Sequence, residues 1–140
     1  MQRKAFRFSD CAGLVVLSAA FFYAVISTAV ADNSFPFGRD LLLDAQPMKG
    51  SKRVPIVEIN EDGTAIIDLW CDRVEARAEV SGDAITITPT SRAGANCPAD
   101  RAQADDDMID ALQQITGWRR SADGVVLIGP RSLNFRLPTN

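Results

Sequence analysis

The sequence predicts an α+β fold: a curved antiparallel sheet or partial barrel of short hairpin strands, with one helix packed on it, after an N-terminal signal helix. Three observations support this. Apolar and charged residues alternate between Arg73 and Val80, a period of two that is typical of a strand with one face in the core. Glycine-containing turns separate several such segments. These connections are too short to be the crossovers that a parallel sheet requires. Around Met108 the period changes to three and four, which predicts a helix.

Residues 1–31 have the pattern of a secretory signal peptide. Basic residues precede an uncharged apolar run that begins at Cys11, and the run ends in Ala29-Val30-Ala31 before polar residues. We therefore expect cleavage after Ala31 and a single domain over residues 32–140, irregular in part over residues 32–52. The alternative is an uncleaved membrane anchor, because an apolar run of about 20 residues can span a bilayer.

The strands follow in order along this domain, separated by turns. Asp62-Gly63 and Ser81-Gly82-Asp83 supply the positive φ of tight hairpins, and Ala122-Asp123-Gly124 supplies a later turn. Pro55 places its strand at an edge or a bulge, because proline donates no ladder hydrogen bond. Residues 89–98 are expected to form a loop. The predicted strands are Leu41–Leu43, Val54–Ile59, Thr64–Trp70, Arg73–Val80, Ala84–Thr88, Trp118–Arg120, Val125–Ile128 and Leu133–Leu137.

The helix is expected over about residues 100–115, with Gly117 as a left-handed glycine beyond its end. Its apolar stripe consists of Ala104, Met108, Ala111, Leu112 and Ile115. Four closely spaced aspartates lie in the middle of this helix, and successive helical positions point about 100° apart, so their carboxylates do not converge on a cation. A solvated acidic face is therefore favoured over a calcium site for Asp105, Asp106, Asp107 and Asp110.

Composition limits the chemistry available to the chain. Its 140 residues include no histidine and carry a formal net charge of -3. A Ser-His-Asp triad, a Cys-His nucleophile pair and an imidazole metal ligand are therefore excluded. The mildly acidic balance argues against a nucleic-acid partner. We expect no catalytic residues, no cofactor and no metal.

Two cysteines, Cys71 and Cys97, follow the predicted signal. Two cysteines in an exported domain most often pair, so we expect a disulfide between them. The alternative is a pair of buried thiols that act as small hydrophobic residues. The chain has no C-x-x-C motif, which argues against a thioredoxin-like catalyst.

The basic C-terminal part holds the one candidate patch for a ligand or partner. A tryptophan beside arginines could stack on or clamp an anionic group. The competing interpretation places the tryptophan in the core and the arginines on the solvent faces of strands. The patch residues are Trp118, Arg119, Arg120, Arg131 and Arg136. Glu75 and Glu79, interleaved with arginines on one strand face, indicate cross-strand charge pairing rather than an acid–base pair.

Several of these motifs resemble the META domain family, small heat-shock-associated bacterial envelope proteins with eukaryotic relatives. The resemblance spans about residues 58–137. Leu69-Trp70-Cys71-Asp72 stands where META domains carry Gly-Cys-Asn. The other matching motifs are Cys97-Pro98 before a helix, Ile115-Thr116-Gly117-Trp118-Arg119 after it, the apolar strand Val125–Ile128 and the terminal Leu133-Asn134-Phe135. The resemblance implies an exported α+β domain, often with the two cysteines paired, and an association with envelope stress. It implies no enzyme mechanism.

These observations predict a non-catalytic protein in the periplasm or outside the cell. The first hypothesis is a structural or interaction module of the cell envelope whose partner is an unknown envelope protein or ligand. It would touch the membrane only through the signal segment, if that segment is retained. The second is a ligand-binding or inhibitor-type module that uses Trp118 and the C-terminal arginines. The third, an enzyme, depends only on exposed carboxylates.

Overall fold

In the computed structural model, which describes residues 33–139, eight strands form a closed antiparallel barrel in chain order, with one helix between the fifth and sixth. The predicted signal segment lies outside the described residues. The elements are β1 Leu41–Leu43, β2 Ile56–Ile59, β3 Thr64–Asp68, β4 Arg73–Ser81, β5 Ala84–Arg92, α1 Ala99–Gln113, β6 Gly117–Arg120, β7 Gly124–Ile128 and β8 Leu133–Arg136.

The sheet closes on itself, whereas the sequence predicted a curved sheet or a partial barrel. β1 pairs with β2 on one side and with β8 on the other, where Leu42 lies opposite Arg136 and Leu43 opposite Phe135. This closing contact joins the two ends of the domain, so no local sequence pattern encodes it. The shortest join is between β5 and β6, which share one register pair, Ala84 with Gly117.

The barrel interior is filled by alternate residues of every strand. In β4, Val74, Ala76 and Ala78 are buried while Arg73 and Glu75 are exposed, as the period of two predicted. Each fully buried Leu, Ile or Phe side chain contributes about 1.5–3 kcal/mol through removal of apolar surface from water. The largest such side chains are Phe135, Leu41, Ile59, Ile67, Leu69, Ile85, Met108, Leu112, Ile115 and Leu127.

The two ends of the barrel are covered differently. Neighbouring strands run in opposite directions, so the β3–β4 and β7–β8 turns lie at the same end, and α1 covers that end. Buried Met108 and Leu112 point from the helix into the core. At the other end the ring of Phe35 packs edge-on against Trp118, with centroids 5.0 Å apart. We call these the helix end and the aromatic end.

Two local predictions were wrong. β5 continues to Arg92 rather than stopping at Thr88, because Pro89 pairs with Ala76 where the β4–β5 register shifts. A bulge tolerates the missing proline N–H. Gly117 has no positive φ and does not cap the helix; it begins β6, and a Cβ there would lie 3.3 Å from the carbonyl oxygen of Asp83.

Candidate functional site

The β3–β4 turn is attached to helix α1 by a disulfide and by one buried carboxylate. Cys71 in the turn is bonded to Cys97 just before the helix, with Cα atoms 5.9 Å apart. Two turns further along, Asp105 is fully buried, and its two oxygens accept hydrogen bonds of 2.9 Å from the backbone N–H groups of Trp70 and Asp72. The turn is thus held to the helix covalently at one point and by a bidentate carboxylate at another.

A second buried carboxylate, Asp72, links this turn to β5. Its Oδ2 accepts a 2.6 Å hydrogen bond from Nε of Arg92, and its Oδ1 accepts bonds from the N–H groups of Arg73 and Ala95. Burial alone would raise the pKa of Asp72, but these donors outweigh it and hold the pKa below the ordinary 3.8. We refer to Asp72, Arg92, Asp105 and Asp106 as the polar cluster.

Arg92 bridges the cluster to the helix. Its Nη1 lies 2.5 Å from Oδ1 of Asp106, while its Nε bonds Asp72. The two carboxylates, Asp106 first and Asp72 second, raise the pKa of Arg92. Every oxygen of Asp72 and Asp105 therefore has a backbone or guanidinium donor. Carboxylates engaged in this way position chain segments and are poorly suited to exchanging protons with a substrate.

The aspartate-rich helix was expected to present a solvated acidic face, and this is wrong for Asp105. Asp105 precedes Met108 by three residues and Leu112 by seven, so it lies on the buried stripe. Asp106, Asp107 and Asp110 are exposed. The spacing to Met108 and Leu112 is visible in the sequence, but an aspartate in an apolar stripe is normally assigned to the adjacent polar face.

The predicted patch is divided by the fold. Trp118 is 6% exposed and its Nε1 donates to the carbonyl oxygen of Gly82 at 2.8 Å, so it is a core residue with a satisfied polar atom. Arg131 lies at the helix end, where it donates to the backbone oxygen of Asp107. Arg136 forms a 3.1 Å ion pair with Asp44 on the outer surface.

Arg119 and Arg120 stay beside Trp118. Together with Asn33, Gly82 and Asp83 they line an open groove of about 450 Å³ at the aromatic end. Arg119 is exposed, while Arg120 is half-buried and its Nη1 is enclosed without a hydrogen-bond partner. The structure therefore places Trp118, Arg119 and Arg120 on one groove and Arg131 and Arg136 elsewhere.

The family model of the META domain matches residues 40–136. The chain belongs to the META domain family. The match begins before β1 and ends at the last residue of β8, so it spans every strand of this META domain. Comparisons with curated proteins and with solved structures gave no match.

Residues 33–139, which contain the whole matched domain, lack two kinds of feature. Within residues 33–139, no group of three or more cysteine, aspartate or glutamate side chains is placed to hold a metal ion. In the same range, no helix combines the length and apolar character that crossing a bilayer requires.

Proposed function

We propose that this META domain is an exported, non-catalytic structural or interaction module of the bacterial cell envelope, linked to the stress response. The observation that carries the proposal is the Cys71–Cys97 disulfide. Disulfides form and persist in oxidising compartments such as the periplasm or the cell exterior and are rare in the cytosol. The uncharged apolar run before residue 32 supplies a route out of the cytoplasm.

The non-catalytic part of the proposal is supported by how the buried acids are used. Asp72 and Asp105 are the buried charged residues of the described chain, and both are saturated by backbone N–H groups or by Arg92. A general acid or base needs a titratable group that can reach a substrate. Here the two carboxylates fix the turn and the helix, which favours a role in which the shape of the surface is the functional property.

Cell fractionation followed by N-terminal sequencing tests the export proposal. We expect the protein in the periplasmic or secreted fraction, a start at Asp32, and a mass two hydrogens lighter than that of the reduced chain. A Cys71→Ser, Cys97→Ser double variant serves as the matched control, because its mass cannot change on reduction. Recovery in the cytosol with both thiols free would overturn the proposal.

Cross-linking in intact cells before and after heat stress tests the interaction role. We expect one or more envelope proteins to be captured by the wild type, with more capture after stress. If a substrate screen finds turnover and Asp106→Asn abolishes that turnover, the protein is instead an enzyme. Asp106 is the informative choice because its carboxylate is exposed and approaches only Arg92 among the cluster residues.

A second candidate function, a ligand-binding or inhibitor-type module, is favoured by one observation. Arg119 and Arg120 line the groove beside Trp118, and neither forms an ion pair with a carboxylate of residues 33–139. Guanidinium groups pair readily with carboxylates and other oxyanions. An anionic ligand would supply the missing partner.

A further inference from the structure

The groove at the aromatic end is built on a rigid floor. The backbone N–H of Trp118 donates to the carbonyl oxygen of Asp83 at 2.8 Å, and its indole N–H donates to that of Gly82, also at 2.8 Å. Phe35 packs edge-on against the same indole. Because these two bonds fix the β4–β5 turn to β6, the groove exists without a ligand, and binding would require little rearrangement.

The charges in this groove are unequal. Arg119 and Arg120 contribute two guanidinium groups, and Asp83 contributes one carboxylate. The ion pairs found in residues 33–139 involve Arg73, Arg92 and Arg136, so neither groove arginine is neutralised by a carboxylate of the described chain. The groove therefore carries a net positive charge, which favours an anionic ligand.

Guanidinium groups pair with planar oxyanions through two parallel N–H donors. Arg119 is exposed and Arg120 is half-buried, and both line the groove, so each offers guanidinium donors to a ligand there. Asp83 lines the same groove, and its carboxylate can accept an N–H from the same ligand. The arrangement thus offers donors for a carboxylate and an acceptor for a neighbouring amide.

We propose that this groove binds the carboxylate of an N-acylated amino acid or of a peptide C terminus, with Arg120 and Arg119 on the carboxylate and Asp83 on the adjacent amide N–H. A volume of about 450 Å³ lies within the range of small-ligand sites. The inference deepens the second candidate function and is independent of where the protein resides in the cell.

A ligand titration monitored by NMR tests the proposal. The protein is expressed from the full coding sequence, and the indole N–H signals are recorded as each probe is added. The chain has two tryptophans: Trp118 lines the groove, while Trp70 lies at the helix end, so one reports binding and the other is an internal control. The probes are N-acetylglycine, a short peptide with a free C terminus, the same peptide with an amidated C terminus, and sulfate.

We expect N-acetylglycine and the free-acid peptide to shift the Trp118 signal and leave Trp70 unmoved, and the amidated peptide to have no effect. The tighter of the two active probes identifies the source of the carboxylate. Arg120→Gln should weaken binding about tenfold or more, since it removes a charge-assisted pair. Arg119→Gln is a second variant in case Arg120→Gln misfolds, and Arg131→Gln, outside the groove, should bind as the wild type does.

Asp83→Ala separates the amide contact from the anion contact, because it removes both the acceptor and its charge. The affinity for sulfate should rise relative to that for N-acetylglycine, because both anions lose a repulsive carboxylate but only N-acetylglycine also loses an amide contact. Tighter binding of sulfate than of N-acetylglycine by the wild type would overturn the carboxylate assignment while leaving a ligand-binding module. No shift of the Trp118 signal with any probe, or wild-type affinity in both the Arg120→Gln and the Arg119→Gln variant, would overturn the carboxylate assignment and the ligand-binding module.

Discussion

Replacement of the buried carboxylate of Asp105 by Asp105→Ala should destabilise the fold strongly. The change leaves the N–H groups of Trp70 and Asp72 buried without an acceptor. An orphaned buried donor costs about 1–3 kcal/mol. Alanine has a higher helix propensity than aspartate, which stabilises the variant by about 0.5 kcal/mol and offsets a small part of this loss. The free energy of unfolding should therefore fall by about 2–5 kcal/mol, a large share of the roughly 5–15 kcal/mol of a typical domain.

Urea unfolding with the disulfide intact, followed by tryptophan fluorescence, measures this loss. Asp110→Ala is the matched control, because Asp110 is an exposed aspartate on the same helix and gains the same propensity. It should change stability by less than about 0.5 kcal/mol. Asp105→Asn keeps one acceptor oxygen and should lie between the two. Equal stabilities of Asp105→Ala and Asp110→Ala would refute the reasoning that Asp105 holds the turn.

Three other perturbations follow from the same structure. Removing both cysteines as Cys71→Ser, Cys97→Ser should lower the free energy of unfolding by about 3.5 kcal/mol in the chain-entropy model, measured by urea titration against the oxidised wild type; a loss no greater than that of an exposed serine substitution would contradict it. The pKa of Asp72 lies below its ordinary 3.8, so its stabilisation is present above pH 3.8 and is lost as the pH falls through the folded-state value. Thermal melts between neutral pH and strong acid should therefore show a smaller loss for Asp72→Asn than for the wild type; parallel curves would contradict this. Gly124→Ala would place a Cβ against the backbone of β8 and should lower the free energy of unfolding by about 2–3 kcal/mol. Gly50→Ala has open space around the new Cβ but a φ of +76°, so it should lower it by about 1 kcal/mol. The same thermal melts compare the two variants.

The strand pattern was largely predictable because its signals are local. The alternation in β4 reports burial directly, since successive side chains on a strand face opposite sides. The Asp62-Gly63 turn was predictable for a similar reason: Gly63 adopts a φ of +80°, which glycine permits at little cost. The helix was also found, within two residues at each end.

What the sequence could not show depends on contacts between distant segments. The β1–β8 pairing closes the barrel through three- and four-residue strands whose partners lie about ninety positions apart. The burial of Asp105 is visible only once the β3–β4 turn supplies two N–H donors for it. Likewise, Arg119 and Arg131 look equivalent in sequence, and only the strand directions place them at opposite ends of the molecule.

The β5–β6 seam has one register pair, Ala84 with Gly117, so the two hydrogen bonds that Trp118 donates to Asp83 and Gly82 are the main bonds that hold it closed. Loss of those two bonds would release the segment after α1, whereas the start of α1 stays bonded to the β3–β4 turn through the disulfide. Amide protons of β6 would then exchange with solvent sooner than those of β4, in a protein that is otherwise fully folded.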